Sequence, residues 1–139
     1  SVAYGAEYEH SPEREIGVHP VDLTPEGLAD PHVGLFGPSF DSGHWHGDMP
    51  GLPEDAVVLA TSQGCPRQIL RFSPKHYAFQ AHLEFDPEAV NLLIAADGEA
   101  VLEAQSQTLP FVEKPEAIRA YDFQEMNAKL YAFLDSLTN

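Results

Sequence analysis

AVVLATSQGCPRQILRFSPKHYAFQAHLEF, Ala56 to Phe85, holds three apolar runs separated by connections of only a few residues. Ala56–Ser62, Arg67–Ser73 and His76–Glu84 are rich in Val, Ile, Leu, Phe and Tyr, the composition of strands. The joints QGCP and SPK are short, which favours antiparallel neighbours. Upstream, EIGVHPVDL (Glu15–Leu23) alternates, with Ile16, Val18 and Val21 as its apolar members, and predicts a further strand. Thr24 and Pro25 then cap a short helical or tight turn. The stretch from Ala29 to Gly43 is rich in Gly, Pro, Asp and Ser and predicts a loop that delivers the segment HWHGD.

Downstream the period changes. Asp86 and Pro87 open PEAVNLLIAA as a helix, with proline at its first position. From Pro115 to Leu137 the residues Ile118, Tyr121, Met126, Leu130, Phe133, Leu134 and Leu137 recur at steps of three and four, which predicts one amphipathic helix. Strands followed by helices, with some antiparallel pairing, indicate an α/β or α+β fold. The 139 residues are the size of one domain, and they carry neither repeats nor low-complexity tracts.

Charge narrows the partners. Seven Lys and Arg against 22 Asp and Glu give a formal net charge of −15. Such a surface repels a nucleic-acid backbone and anionic lipid alike, so neither nucleic acid nor membrane is an expected partner. The apolar runs AVVLA and LLIAA are far too short to span a bilayer, and no charged-then-apolar signal segment is visible. The expectation is a soluble, cytoplasmic protein. One cysteine, Cys65, excludes an internal disulfide.

Three features bear on chemistry. His82 and Glu84 are two residues apart, which on a strand places both side chains on one face. A carboxylate beside an imidazole is the supporting half of a nucleophile–base–orienter triad, although a solvent-facing strand end would carry the same two residues. HWHGDM (His44–Met49) resembles a metal-binding run but lacks a ligand: Met49 stands where a further histidine is needed, and Glu54 lies too far along. A rigid polar loop beside a cleft is the alternative. Cys65 is followed by Pro66, which removes a backbone N–H that an oxyanion hole would use, so its expected role is structural.

The blocks EIGVHPVDLTPEGLADP, GHWHGDMPGLPEDAVVLATS, CPRQILRF and YAFQAHLEF, in this order and spacing over residues 15–86, resemble the class I glutamine amidotransferase domain, in particular the GMP synthase branch and its stand-alone relatives. The resemblance implies part of a doubly wound, flavodoxin-like α/β domain with some antiparallel strands, and a helical C-terminal region over 87–139. It further implies a Cys-His-Glu triad that hydrolyses the γ-amide of glutamine to glutamate and ammonia without cofactor or metal.

The family's Q-F-H-P-E run is matched by Gln80-Ala81-His82-Leu83-Glu84, so His82 is the implied base and Glu84 its orienter, with Ala81 and Leu83 departing from the pattern. His46, Gly47 and Asp48 match the segment that holds the substrate's α-amino and carboxylate groups, and Asp48 suits the ammonium. The family's nucleophile elbow, G-x-C-x-G, has no match here. The resemblance therefore implies a preceding part or companion fragment that carries the cysteine, and a synthase as recipient of ammonia. A γ-glutamyl peptidase or hydrolase with the same triad, and a non-catalytic binding module, stand as alternatives.

Overall fold

The computed structural model describes residues 1–138. Its centre is a five-stranded sheet of β1 (Glu9–Leu23), β2 (Ser39–Met49), β3 (Val57–Thr61), β4 (Ile69–Ser73) and β5 (His76–Phe79), ordered β2-β1-β3-β4-β5. Every neighbouring pair is antiparallel. Among the described residues, parallel pairing is confined to a bridge between Ile16 and Val112, where the backbone of Phe111–Glu113 lies along β1. The short connections between β3, β4 and β5 thus form the hairpins their length predicted.

The helices are α1 (Pro25–Ala29), α2 (Pro87–Asp97), α3 (Glu99–Ser106), α4 (Pro115–Arg119) and α5 (Gln124–Thr138). Helix α2 starts where expected: the Asp86 carboxylate accepts the Ala89 N–H at 2.7 Å, Pro87 occupies the first turn, and Gly98 with φ +93° ends it. With the sheet, α2 to α5 form a mixed α/β arrangement in which the C-terminal helix buries Met126 and Phe133. Phe133 lies among Phe36, Tyr77 and Phe79, with ring centroids 5.1–5.8 Å away.

Three boundaries differ from the sequence reading. HWHGD is not at the end of a loop; it lies inside β2, which begins at Ser39, after a 3₁₀ turn at Val33–Phe36. The tail is two helices rather than one, because the Asp122 carboxylate caps a new start by accepting the Gln124 N–H at 3.0 Å. Strand β5 ends at Phe79, so Gln80–Phe85 continue beyond the hairpin.

Those residues nevertheless keep strand-like alternation. Ala81, Leu83 and Phe85 are buried, whereas His82 and Glu84 face outward. Two anchors fix the segment. His82 and Gly43 exchange backbone hydrogen bonds of 2.8 and 2.9 Å, and Asn127 of α5 donates to the carbonyls of Leu83 (2.8 Å) and Phe85 (3.0 Å). Ala81 and Leu83, the departures from the Q-F-H-P-E pattern, are therefore core residues. Among the described residues no helix is long and apolar enough to cross a membrane.

Candidate functional site

The alternation just described places His82 and Glu84 side by side. His82 Nδ1 lies 2.6 Å from Glu84 Oε1, and the imidazole stacks on Phe85 at 4.9 Å with only 9° between the ring planes. The hydrogen bond from His82 lowers the Glu84 pKa below its ordinary 4.5, against burial, which acts to raise it. With Nδ1 held by the carboxylate, His82 Nε2 has no hydrogen-bond partner among the described residues. Glycine is required at position 43 for this: an added Cβ would sit 2.3 Å from the Phe85 ring and 3.0 Å from the His82 carbonyl.

The other predicted residues lie farther along β2. Gly43, the β2 residue bridged to His82, and Asp48 are five residues apart, about 17 Å at ~3.4 Å per extended residue, so the His82–Glu84 pair and Asp48 are set beside the same strand at different points along it. Asp48 is exposed and its carboxylate accepts from His10 Nδ1 at 2.8 Å. His46 is buried, with Nδ1 2.8 Å from the Asp48 carbonyl and Nε2 2.8 Å from Glu15 Oε1. Gly47 has open space around it, the nearest side-chain atom being Arg14 Nη1 at 3.9 Å from an added Cβ.

Glu15 is the residue that sequence reading passed over. It is fully buried on β1 and faces His46 because the β1–β2 register pairs these two positions. Ser62 donates to its Oε2 at 2.7 Å and Gln68 to its Oε1 at 2.6 Å. His44 Nδ1 stands 3.6 Å from Oε1. Burial acts to raise the Glu15 pKa, but the His46 hydrogen bond, the charge His44 carries when protonated and the Ser62 hydroxyl outweigh it and hold the carboxyl below 4.5. Burial takes His44 the other way, down to about 4. Gly64 lets the β3–β4 connection close over this group, since a Cβ there would meet the Glu15 carboxylate at 2.8 Å.

Cys65 is buried in the same connection, its thiol pKa raised by burial and its Sγ directed at the Arg67 carbonyl 3.8 Å away. No hydrogen bond joins it to His82 among the described residues.

Glutamine amidotransferase-like protein YfeJ of Salmonella typhimurium is 46% identical to this chain over 136 residues, covering 98% of it and 56% of YfeJ. The chain is of the class I glutamine amidotransferase type. GMP synthase of Photorhabdus laumondii is 30% identical to this amidotransferase-type chain over 109 residues, 74% of the chain and 20% of the synthase. The crystal structure of SMU.1228c superposes on it with a TM-score of 0.95 at 54% identity, over 99% of this chain and 58% of that one. A glutamine amidotransferase of Methylobacillus flagellatus has the same fold, with a TM-score of 0.78 at 23% identity over 98% of this chain and 55% of the other. No family model matches. The amidotransferase-type chain thus spans a little over half the length of YfeJ and a fifth of the synthase.

Proposed function

We propose that His82 and Glu84 are the general base and its orienting carboxylate in a glutaminase centre. The nucleophilic cysteine would come from outside these 139 residues, from an adjoining part of the protein or a companion fragment. The observation that carries this reading is the 2.6 Å His82–Glu84 pair, with Nε2 left open to a partner.

In the proposed reaction His82 Nε2 takes the proton of the cysteine thiol, and the sulfur attacks the γ-carbonyl carbon of glutamine. The charged imidazole is stabilised by Glu84. It returns the proton to the departing nitrogen, which leaves as ammonia while a γ-glutamyl thioester forms. His82 Nε2 then takes a proton from water, which attacks the thioester; the C–S bond breaks, glutamate leaves and His82 returns the proton to the sulfur. Gly47 and Asp48 would bind the amino-acid end; His46, named with them from the sequence, is buried with both ring nitrogens on protein atoms and would serve only to hold Asp48 in place. Asp48 is exposed, as a carboxylate receiving an ammonium must be, and the hydrogen bond from His46 fixes the Asp48 backbone. Ammonia would pass to a synthase partner, a reading supported by the kinship with the GMP synthase of Photorhabdus laumondii.

The test is hydrolysis by the complete protein of glutamine and, in parallel, of a γ-glutamyl peptide. Greater turnover of the peptide would reassign the substrate to that class while keeping the triad. Unchanged hydrolysis in His82→Ala would overturn the assignment, and inactivity of the wild type on both compounds would leave a binding module as the better description.

A further inference from the structure

The buried group beneath the site has a donor arrangement that the hydrogen bonds of the protein leave incomplete. His44 Nε2 lies 3.1 Å from the His19 carbonyl and His46 Nδ1 lies 2.8 Å from the Asp48 carbonyl. A carbonyl only accepts, so these nitrogens carry the protons. In the neutral rings the opposite nitrogens, His44 Nδ1 and His46 Nε2, then present lone pairs, and both face Glu15 Oε1, at 3.6 and 2.8 Å. The three atoms lie within 4.8 Å of one another, and all three residues are buried. A proton shared by His46 and Glu15 would satisfy that pair alone. It would leave His44 Nδ1, which has no hydrogen-bond partner among the described residues, aimed at a carboxylate.

We propose that Glu15, His44 and His46 form a closed structural site for a divalent transition-metal ion, with zinc the best match to two imidazoles and a carboxylate. Ligands at zinc distances on a tetrahedron are about 3.3 Å apart, and the observed separations of 2.8 and 3.6 Å bracket that spacing. Each histidine donates its other N–H to a backbone carbonyl, the arrangement that orients metal-bound imidazoles.

Gln68 supplies a fourth donor. Its side-chain oxygen is buried without a partner, and turning the amide over brings that oxygen to where its nitrogen now meets Glu15 at 2.6 Å. A cavity of about 140 Å³ lined by Glu15, His19 and Phe111 gives a route in. The HWHGD run misses a ligand when read alone; the β1–β2 register provides it from Glu15. The ion would tie β1 to the strand bearing Gly47 and Asp48, whether or not the glutaminase reading holds.

The test measures metal on the full protein, purified without a metal-affinity tag, stripped with chelator, and titrated with zinc and with cobalt. One equivalent of zinc per chain should survive dialysis, the cobalt form should show the visible bands of a four-coordinate ion, and the unfolding midpoint should rise by about 5–10 °C at a hundredfold excess over Kd. His44→Phe and Glu15→Gln should lose the equivalent, whereas His10→Ala at the surface should retain it. Should the buried variants fail to fold, the wild-type cobalt spectrum and stoichiometry decide. Absence of both overturns the site, as does binding that disappears with His10→Ala, which would mark an adventitious ion only.

Discussion

Two histidine–glutamate pairs of nearly equal length, 2.6 Å for His82–Glu84 and 2.8 Å for His46–Glu15, differ in almost everything around them. The side chains of the first are 35% and 59% exposed and hydrogen-bond each other, with the imidazole stacked on Phe85; those of the second are 4% and 0% exposed and are embedded among Ser62, Gln68 and His44. The outer pair keeps one imidazole nitrogen open. The inner pair has every nitrogen directed at another protein atom. An open valence is what a proton shuttle requires, and a closed set is what a strut between strands requires. Contact distance distinguishes neither.

The sharpest way to break this contrast is to exchange the expected losses. Substituting His82→Ala should lower hydrolysis by about 10²–10⁴-fold, while the lost ion pair, open to solvent on its Glu84 side, changes unfolding free energy by less than about 1 kcal/mol. Steady-state kinetics and urea titration of the same variant check both halves. Glu15→Gln should do the opposite: breaking a buried pair costs about 3–5 kcal/mol, read as a lower urea midpoint. A stable Glu15→Gln protein would show that the inner group is not a strut.

Smaller effects refine the comparison. Gly43→Ala pushes a methyl into Phe85 and should destabilise by about 1–3 kcal/mol, lowering kcat more than it changes KM. Gly47→Ala, with no atom nearer than 3.9 Å, should fold as the wild type does. The smallest effect is a titration. The Glu84 carboxyl, followed by carbon NMR, should have its midpoint below 4.5 and return toward 4.5 in His82→Ala, since the His82 hydrogen bond is the main cause of the shift. The lowered pKa sets the sign: stability contributed by the pair is present above pH 4.5 and lost as pH falls through the folded-state value.

How legible these regions were depended on how far apart their parts lie in the chain. The hairpins and α2 follow from local signals, alternation and an Asp-Pro start, and they stand where the sequence placed them. His82 and Glu84 were visible as a pair because i and i+2 share a face even after β5 has ended. Glu15 was invisible as a partner of His46, because 31 positions separate them and only the β1–β2 register brings them together. Helix α3 was missed because Gly98 ends one helix and starts another with no polar cap to announce it. The break at Asp122 was masked by an apolar period that continues across it, from Ile118 and Tyr121 to Met126.

The reciprocal bridge between Gly43 and His82 also has a mechanical meaning. Strand β2 forms one margin of the sheet, and this bridge pins the outward histidine near its middle while His46, Gly47 and Asp48 ride toward its C-terminal end. The strand is in effect a gauge bar: if it slides against β1, both points travel together and their spacing is preserved. Only a kink between Gly43 and His46, at His44 or Trp45, could change it.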